Sequence, residues 1–144
     1  MRALSAVVLA VAVTACASIP PSADIQAGDR CARCRRAISD LRLAAETIDT
    51  LKTPRPYRTA GCLAKYIKGH QDEHFLAVYV TDHSSGRMVL AEQAWFVPTA
   101  LTQPDNRRAE DDYVAFRSRQ DAETYRAGTG PLLRWTQVVA EATN

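Results

Sequence analysis

Apolar residues in the first half of the chain recur at strand spacing, then at helix spacing, and then at strand spacing again. Thr59 stands where a helix N-cap is expected, and Gly69 marks the C-terminal end of the same helix. These signals predict one ββαβ unit. The predicted elements are strands at 44–48 and 56–58, a helix at 62–67 and a strand at 75–81.

The second half repeats this succession of elements. Residues 57–59 match residues 116–118, and in both places an aromatic residue precedes a hydroxyl helix cap. Any strand that leads into a capped helix has these residue types, so the match fits either an internal repeat or an ordinary corner. We predict an α+β fold of tandem ββαβ units with a treble-clef-like first half, small mixed sheets and two main helices. The further predicted elements are strands at 87–90, 94–97, 113–116 and 132–135, a long surface loop at 99–112, and helices at 118–125 and 137–142.

Residues 1–15 are typical of a bacterial lipoprotein signal peptide. Arg2 precedes an apolar run that is too short to span a bilayer permanently, and small residues precede Cys16. Cys16 is then the mature N-terminus, and its attached diacylglyceryl and acyl chains anchor the protein to a membrane. A secretory signal cut at another position is the alternative. We therefore expect an extracytoplasmic, membrane-anchored lipoprotein, on the periplasmic side in a Gram-negative cell.

The mature chain has room for one domain. Residues 16–28 are rich in Pro, Ser, Ala and Gly and are predicted to be a flexible tether, which leaves 29–144 as the folded domain. Without Arg2 there are 17 basic and 16 acidic residues, a balance that argues against nucleic acid as a partner. The charge is uneven, because residues 29–68 carry a net +6 and residues 69–144 a net −4.

Three cysteines remain when Cys16 carries the lipid, and an odd number in an oxidising compartment calls for a functional explanation. Cys31 and Cys34 form a CxxC turn, which brings two sulfurs close enough to share one ion. Cys62 lies in the first turn of the predicted helix, where unpaired amides favour the thiolate. The fourth ligand of a treble-clef zinc site is expected at Lys65, so a closed four-cysteine zinc site is not available.

Four arginines surround the CxxC turn. Guanidinium groups favour thiolates and lower the pKa of nearby cysteines, and they balance the negative charge of a Cu(I) dithiolate. Soft thiolates favour Cu(I) over harder ions, with zinc less suitable. The alternatives are a Cys31–Cys34 disulfide and a redox-active pair. Arg33, Arg35 and Arg36 are also candidates for docking an acidic partner; with Arg30 they make up the four.

Short motifs follow one another in a characteristic order through residues 30–138. The motifs are the CxxC followed by AISD, Gly-Cys-Leu at 61–63 with Tyr66, VYVTD at 78–82 with a Ser-Gly turn, AWFV at 94–97, and Ala-Phe at 115–116 leading to DAE at 121–123. This order resembles the NosL family of nitrous oxide reductase accessory lipoproteins. The resemblance implies a periplasmic Cu(I)-binding accessory protein that supplies the copper-sulfide centre of nitrous oxide reductase, and a tandem ββαβ fold related to organomercurial lyase.

The chain departs from the family pattern at the proposed metal site. The family has Cys-x-x-Cys-Gly-Met, whereas Arg36 stands at the methionine position here, and a guanidinium cannot bind Cu(I). Met88 is a candidate replacement thioether, although a lone methionine on a strand is more often a core residue. The adjacent carboxylates Asp111 and Asp112 are interpreted as solvated loop charge.

Three functional hypotheses follow. The first is a Cu(I) carrier that is not an enzyme, with metal on Cys31, Cys34, Cys62 and Met88, and with an exported copper enzyme or its assembly factors as partners. The second is a metal-free binding module of the same fold that has a Cys31–Cys34 disulfide and acts through protein contacts. The third is an oxidoreductase in which Cys34 resolves a mixed disulfide at Cys31.

Overall fold

Two antiparallel sheets and three helices make up the fold, as seen in a computed structural model that describes residues 18–102, 110–128 and 130–143. The predicted α+β class is confirmed. The predicted signal peptide and Cys16 lie outside the described residues, within which no helix is long and apolar enough to cross a membrane. The elements are β1 (Ala45–Asp49), β2 (Pro54–Tyr57), α1 (Ala60–Gly69), β3 (Phe75–Thr81), β4 (Met88–Leu90), a 3-10 helix (Ala91–Gln93), β5 (Trp95–Leu101), β6 (Glu110–Phe116), α2 (Arg119–Tyr125) and α3 (Trp135–Glu141).

The first sheet has four strands in the order β2-β1-β3-β4. Ala45 of β1 pairs with Tyr57 on one side and with Val80 on the other, and all three side chains are buried beneath α1. Side chains of a strand alternate between the two faces, so Ala44 points to the other side of the sheet, where it packs with Ile38. The sheet therefore has an α1 face and an outer face, both covered.

Helix α1 lies between the predicted end signals Thr59 and Gly69 and is two residues longer at each end than the predicted 62–67. The Thr59 hydroxyl accepts a hydrogen bond from the Cys62 amide at 3.1 Å, which caps the N-terminus. The last helical residue is Gly69, and the following amide, that of His70, bonds back to the Ile67 carbonyl. Because residues 60–64 are buried, the first turn of the helix and its cysteine are held in the core.

The second ββα unit pairs β5 with β6 and places α2 against them. Ser118 caps α2, as predicted, by accepting a bond from the Asp121 amide. Leu133 occupies the position of the third strand of this unit through two backbone bonds to Phe96, at 2.9 and 3.0 Å. The predicted strand at 132–135 is thus a single bridge, because α3 already begins at Trp135 and takes up the remaining residues.

The predicted loop at 99–112 is shorter than expected. β5 continues to Leu101 and β6 begins at Glu110, with pairing that runs without a break through Ala100 and Asp111. The backbone N–H and C=O groups of a strand hydrogen-bond to the neighbouring strand whatever the side chains are. Polar, solvent-exposed side chains in this stretch therefore do not prevent β5 and β6 from pairing. Residues 103–109 lie outside the described residues.

The segment predicted to be a tether contacts the outer face of the first sheet. The Tyr79 hydroxyl donates to the Pro20 carbonyl at 2.6 Å, and the Ala23 amide donates to the buried Glu46 carboxylate at 2.9 Å. Ile25 is buried against Ile38. The sequence predicted the domain to begin at residue 29, but these contacts show packed structure before it. The cause is that the buried hydroxyl of Tyr79 and carboxylate of Glu46 need hydrogen-bond partners, which this segment supplies.

Candidate metal centre

Three sulfur atoms meet at the N-terminal end of α1. The Sγ atoms of Cys31, Cys34 and Cys62 all lie within 4.8 Å of one another, and those of Cys34 and Cys62 are 3.7 Å apart. Two sulfurs bound to one metal at about 2.3 Å each can be at most about 4.6 Å apart. Small side-chain adjustments therefore suffice for all three to bind one ion. Within the described part of the chain, no histidine or carboxylate belongs to this group.

A tight hairpin presents the CxxC cysteines. The Cys31 amide donates to the Arg36 carbonyl at 2.9 Å, and the Arg35 amide donates back to the Cys31 carbonyl at 3.0 Å. Arg35 has a φ of 63°, the left-handed conformation that favours glycine. The Ala32 amide donates to the Pro56 carbonyl at 2.8 Å, which fastens the hairpin to β2. Residues 58 and 59 then connect β2 to α1, whose third residue is Cys62.

Asp112 of β6 holds the first turn of α1 in place. Its carboxylate accepts bonds from the Thr59 hydroxyl at 2.6 Å and from the Gly61 amide at 2.8 Å. The residue is 8% exposed, so the interpretation of Asp112 as solvated loop charge was wrong. Residues alternate between the faces of a strand, and the neighbouring Asp111 is the one that faces solvent. Burial raises the pKa of Asp112, and these hydrogen bonds oppose the shift.

The three thiols differ in burial and in protonation. Cys31 is completely buried and Cys62 is 7% exposed, whereas Cys34 is half-buried. A hydrogen bond from the Cys62 thiol lowers the pKa of Cys31 to about 5, against the effect of burial, and nearby backbone amides add to the lowering. The same bond, together with burial, raises the pKa of Cys62. Within this pair the thiolate is therefore favoured at Cys31 over Cys62.

Two expectations about these pKa values need correction. The arginines that lower the pKa of Cys31 are Arg33 and Arg58, and they act through their backbone amides instead of their guanidinium groups. The N-terminus of α1 does not favour a Cys62 thiolate either. The Cys62 amide is taken by Thr59 and the Gly61 amide by the Asp112 carboxylate, so these donors are already used.

A cavity of about 150 Å³ leads from solvent to two of the sulfurs, those of Cys34 and Cys62. Arg58 lines it and is only 2% exposed; its guanidinium bonds to Glu110 at 3.3 Å. Arg36 lines the same cavity and also pairs with Glu110, at 3.4 Å. The remaining lining residues are Arg33, Lys65, Glu110, Asp111 and Asp112.

Two of the predicted docking arginines, Arg33 and Arg36, line this opening. Arg33, Arg35 and Arg36 are all exposed beside the cysteine hairpin. Arg36 shares the Glu110 carboxylate with Arg58, so part of its charge is already balanced within the chain. Sequence reasoning missed both Arg58 and Glu110, because they are 52 residues apart and no local motif connects them.

Met88 does not join the cysteines. Its neighbour Val89 packs against the core that contains Cys31 and Cys62, and adjacent residues of a strand face opposite sides. Met88 instead packs on the outer face beside Ala44, and its sulfur accepts a bond from the Thr81 hydroxyl at 3.6 Å. The prediction of Met88 as a metal ligand is therefore corrected, since the sheet lies between it and the thiols.

The fold has a counterpart among solved structures. The chain is similar to the copper chaperone NosL from Shewanella denitrificans, with 21% identity and a TM-score of 0.64 over 82% of this chain and 96% of that one. The NosL-like fold predicted from the motifs is confirmed. No protein-family model matches the sequence, and the comparison with curated proteins found no match.

Proposed function

We propose that this protein is a lipid-anchored, extracytoplasmic carrier that binds Cu(I) through Cys31, Cys34 and Cys62 and delivers it to an exported copper enzyme such as nitrous oxide reductase. The observation that carries the proposal is the convergence of three sulfurs within 4.8 Å from segments far apart in sequence. Three thiolates without a fourth protein ligand suit a soft ion that accepts low coordination numbers. The name of the structural neighbour, a copper chaperone, agrees with this choice of metal.

Graded exposure of the thiols supports transfer rather than storage. Cys34 is half-buried and borders the cavity, whereas Cys31 is completely buried. A partner's sulfur ligand can therefore approach the ion from the Cys34 side and displace that thiolate first. Cys31, which solvent and a partner cannot reach directly, is the last ligand to be released.

Charge around the opening supports docking of a partner with exposed carboxylates. Three bound thiolates and one Cu(I) carry a net charge of −2, which the buried Arg58 and the exposed arginines of the hairpin offset. Arg33 and Arg36 are exposed and line the opening, where a partner reaches them before it reaches the metal. Membrane attachment through Cys16 would keep the carrier in the compartment where exported enzymes are assembled.

The test is an anaerobic Cu(I) titration of the reduced mature protein against a competing chelator. We expect one tightly bound Cu(I), and weaker binding in both Cys31→Ser and Cys62→Ser. Met88→Leu is the matched control, because it removes a sulfur on the opposite face of the sheet and should leave the affinity unchanged.

Two results would overturn the proposal. If the reduced protein binds no Cu(I) in competition with the chelator, the metal-free binding module becomes the better description. If Met88→Leu weakens binding as much as the cysteine variants do, the three-sulfur assignment is wrong. Mass spectrometry of thiols alkylated without prior reduction shows separately whether Cys31 and Cys34 are joined in a disulfide.

A further inference from the structure

Apolar side chains are exposed at the end of the first sheet that lies away from the cysteines. Leu51, in the turn between β1 and β2, is 85% exposed; Leu76, near the start of β3, is 43% exposed. Ile19 is 57% exposed and borders a groove that half-buried Phe75 also lines. Phe75 pairs with Asp49, the last residue before the turn that carries Leu51. We call Ile19, Leu51, Phe75 and Leu76 the apolar end.

The N-terminal segment leads into this apolar end. Pro20 is held by the Tyr79 hydroxyl at 2.6 Å and Ala23 by the Glu46 carboxylate, so the path of the chain is fixed up to Ile19. Cys16 is three residues before Ile19, and three residues span at most about 10 Å. A lipid on Cys16 would therefore hold the membrane surface within about 10 Å of the apolar end.

We infer that the apolar end of the first sheet rests in the headgroup region of the membrane that holds the lipid anchor. The inference depends on the lipid-anchored function proposed above and adds an orientation to it. Charges of both signs, Lys52 and Asp72, flank the apolar residues. Contact with the bilayer therefore arises from apolar burial, as in other interfacial anchors, and not from attraction to anionic lipids.

The orientation has a consequence for the metal centre. Val80 pairs with Ala45 beside the cysteines, whereas Phe75 lies five residues earlier on the same strand. At about 3.3 Å per residue, the two ends of the sheet are about 17 Å apart. With the apolar end on the membrane, the opening at Cys34 faces away from it, toward soluble partners.

Hydrogen exchange with mass spectrometry tests this orientation. The lipidated full-length product is placed in phosphatidylcholine nanodiscs and compared with the unlipidated mature chain mixed with the same nanodiscs. We expect slower exchange in the lipidated sample at 50–53 and 74–77, with no change at 31–36. Leu51→Asp combined with Leu76→Asp should remove this protection. Leu41→Asp is the matched control, since Leu41 is an exposed leucine (41%) at the other end of the sheet.

Three outcomes contradict the orientation. Protection at 31–36 would place the metal centre against the membrane. Unchanged exchange throughout the lipidated chain would mean that the domain moves freely on its anchor. An intact mass that shows no lipid on Cys16 would mean that the protein has no anchor and so no fixed orientation. The Cu(I) titration tests metal binding independently of these three outcomes.

Discussion

Gly61 is the position where one added methyl group tests the architecture of the metal centre most directly. A Cβ at this residue would lie 2.5 Å from Oδ1 of Asp112 and 2.8 Å from its carboxyl carbon. Atoms cannot approach so closely, so Gly61→Ala must displace the Asp112 carboxylate or the first turn of α1. Either movement disturbs Cys62, the next residue along the helix.

The expected size of the effect follows from two opposing terms. Alanine is favoured over glycine inside a helix by about 1 kcal/mol. Displacing the carboxylate loses its bonds to Thr59 and to the Gly61 amide, and a hydrogen bond to a charged group is worth about 1.5–3 kcal/mol. The loss of even one of these bonds exceeds the gain in propensity. With one bond lost, Gly61→Ala should therefore lower the free energy of unfolding by about 0.5–2 kcal/mol.

A double-mutant cycle separates the clash from other effects. In an Asp112→Ala background the obstructing carboxylate is gone, and the same Gly61→Ala change should raise the free energy of unfolding by about 1 kcal/mol through helix propensity alone. The assay is denaturant unfolding of the metal-free, reduced protein, followed by tryptophan fluorescence. The Cu(I) affinity of each variant is measured in parallel and should fall with Gly61→Ala.

The sign change between the two backgrounds is the decisive result. If Gly61→Ala stabilises the protein while Asp112 is present, the close contact between β6 and α1 does not exist as described. If the effect is the same with and without Asp112, the destabilisation has another origin.

Three further predictions concern the hairpin, the thiolate and the helix caps. Arg35→Gly should raise the free energy of unfolding by about 0.5–1 kcal/mol in denaturant unfolding, because Arg35 holds a left-handed conformation; unchanged or lower stability would contradict this. The ultraviolet thiolate absorbance of Cys31 should disappear as the pH falls through about 5, and Cys62→Ala should move that loss to higher pH. Because the folded pKa of Cys31 is depressed, its contribution to stability is present above the unfolded pKa of about 8.5 and is lost as the pH falls through the folded value, which pH-dependent unfolding checks. In the same unfolding assay, Thr59→Ala should lower the free energy of unfolding by about 2 kcal/mol and Ser118→Ala by about 0.5–1 kcal/mol. The difference is expected because Thr59 is buried and also donates to a carboxylate. Equal losses for the two variants would contradict the assigned role of Thr59.

Strong local signals in the sequence predicted the first unit well. Thr59 and Gly69 mark the ends of α1, and the strand at 75–81 has the predicted bounds. In each case residues adjacent in sequence supply both the pattern and its physical cause, either a cap or an apolar run. The motif order that suggested a NosL-like fold runs through these elements and on through β5, β6 and α2.

Contacts between distant segments could not be predicted. The bond from the Gly61 amide to Asp112 joins residues 51 positions apart, and adjacent aspartates alone do not show which one is buried. The pattern around Met88 indicated a strand, but it did not show which face of the sheet the cysteines occupy. Glu110 likewise becomes part of the cavity lining only when β6 pairs with β5 beyond the expected end of the strand.

The cysteine hairpin meets helix α1 at the sulfurs, whereas its backbone bond to Pro56 fastens it to β2. A bound ion would act there as a reversible cross-link between segments 28 residues apart. Cargo and conformational stability are then linked, because any ligand that binds only the folded state stabilises it. A carrier that has just released its ion would have a looser hairpin, so proteases could distinguish the spent protein from the loaded one.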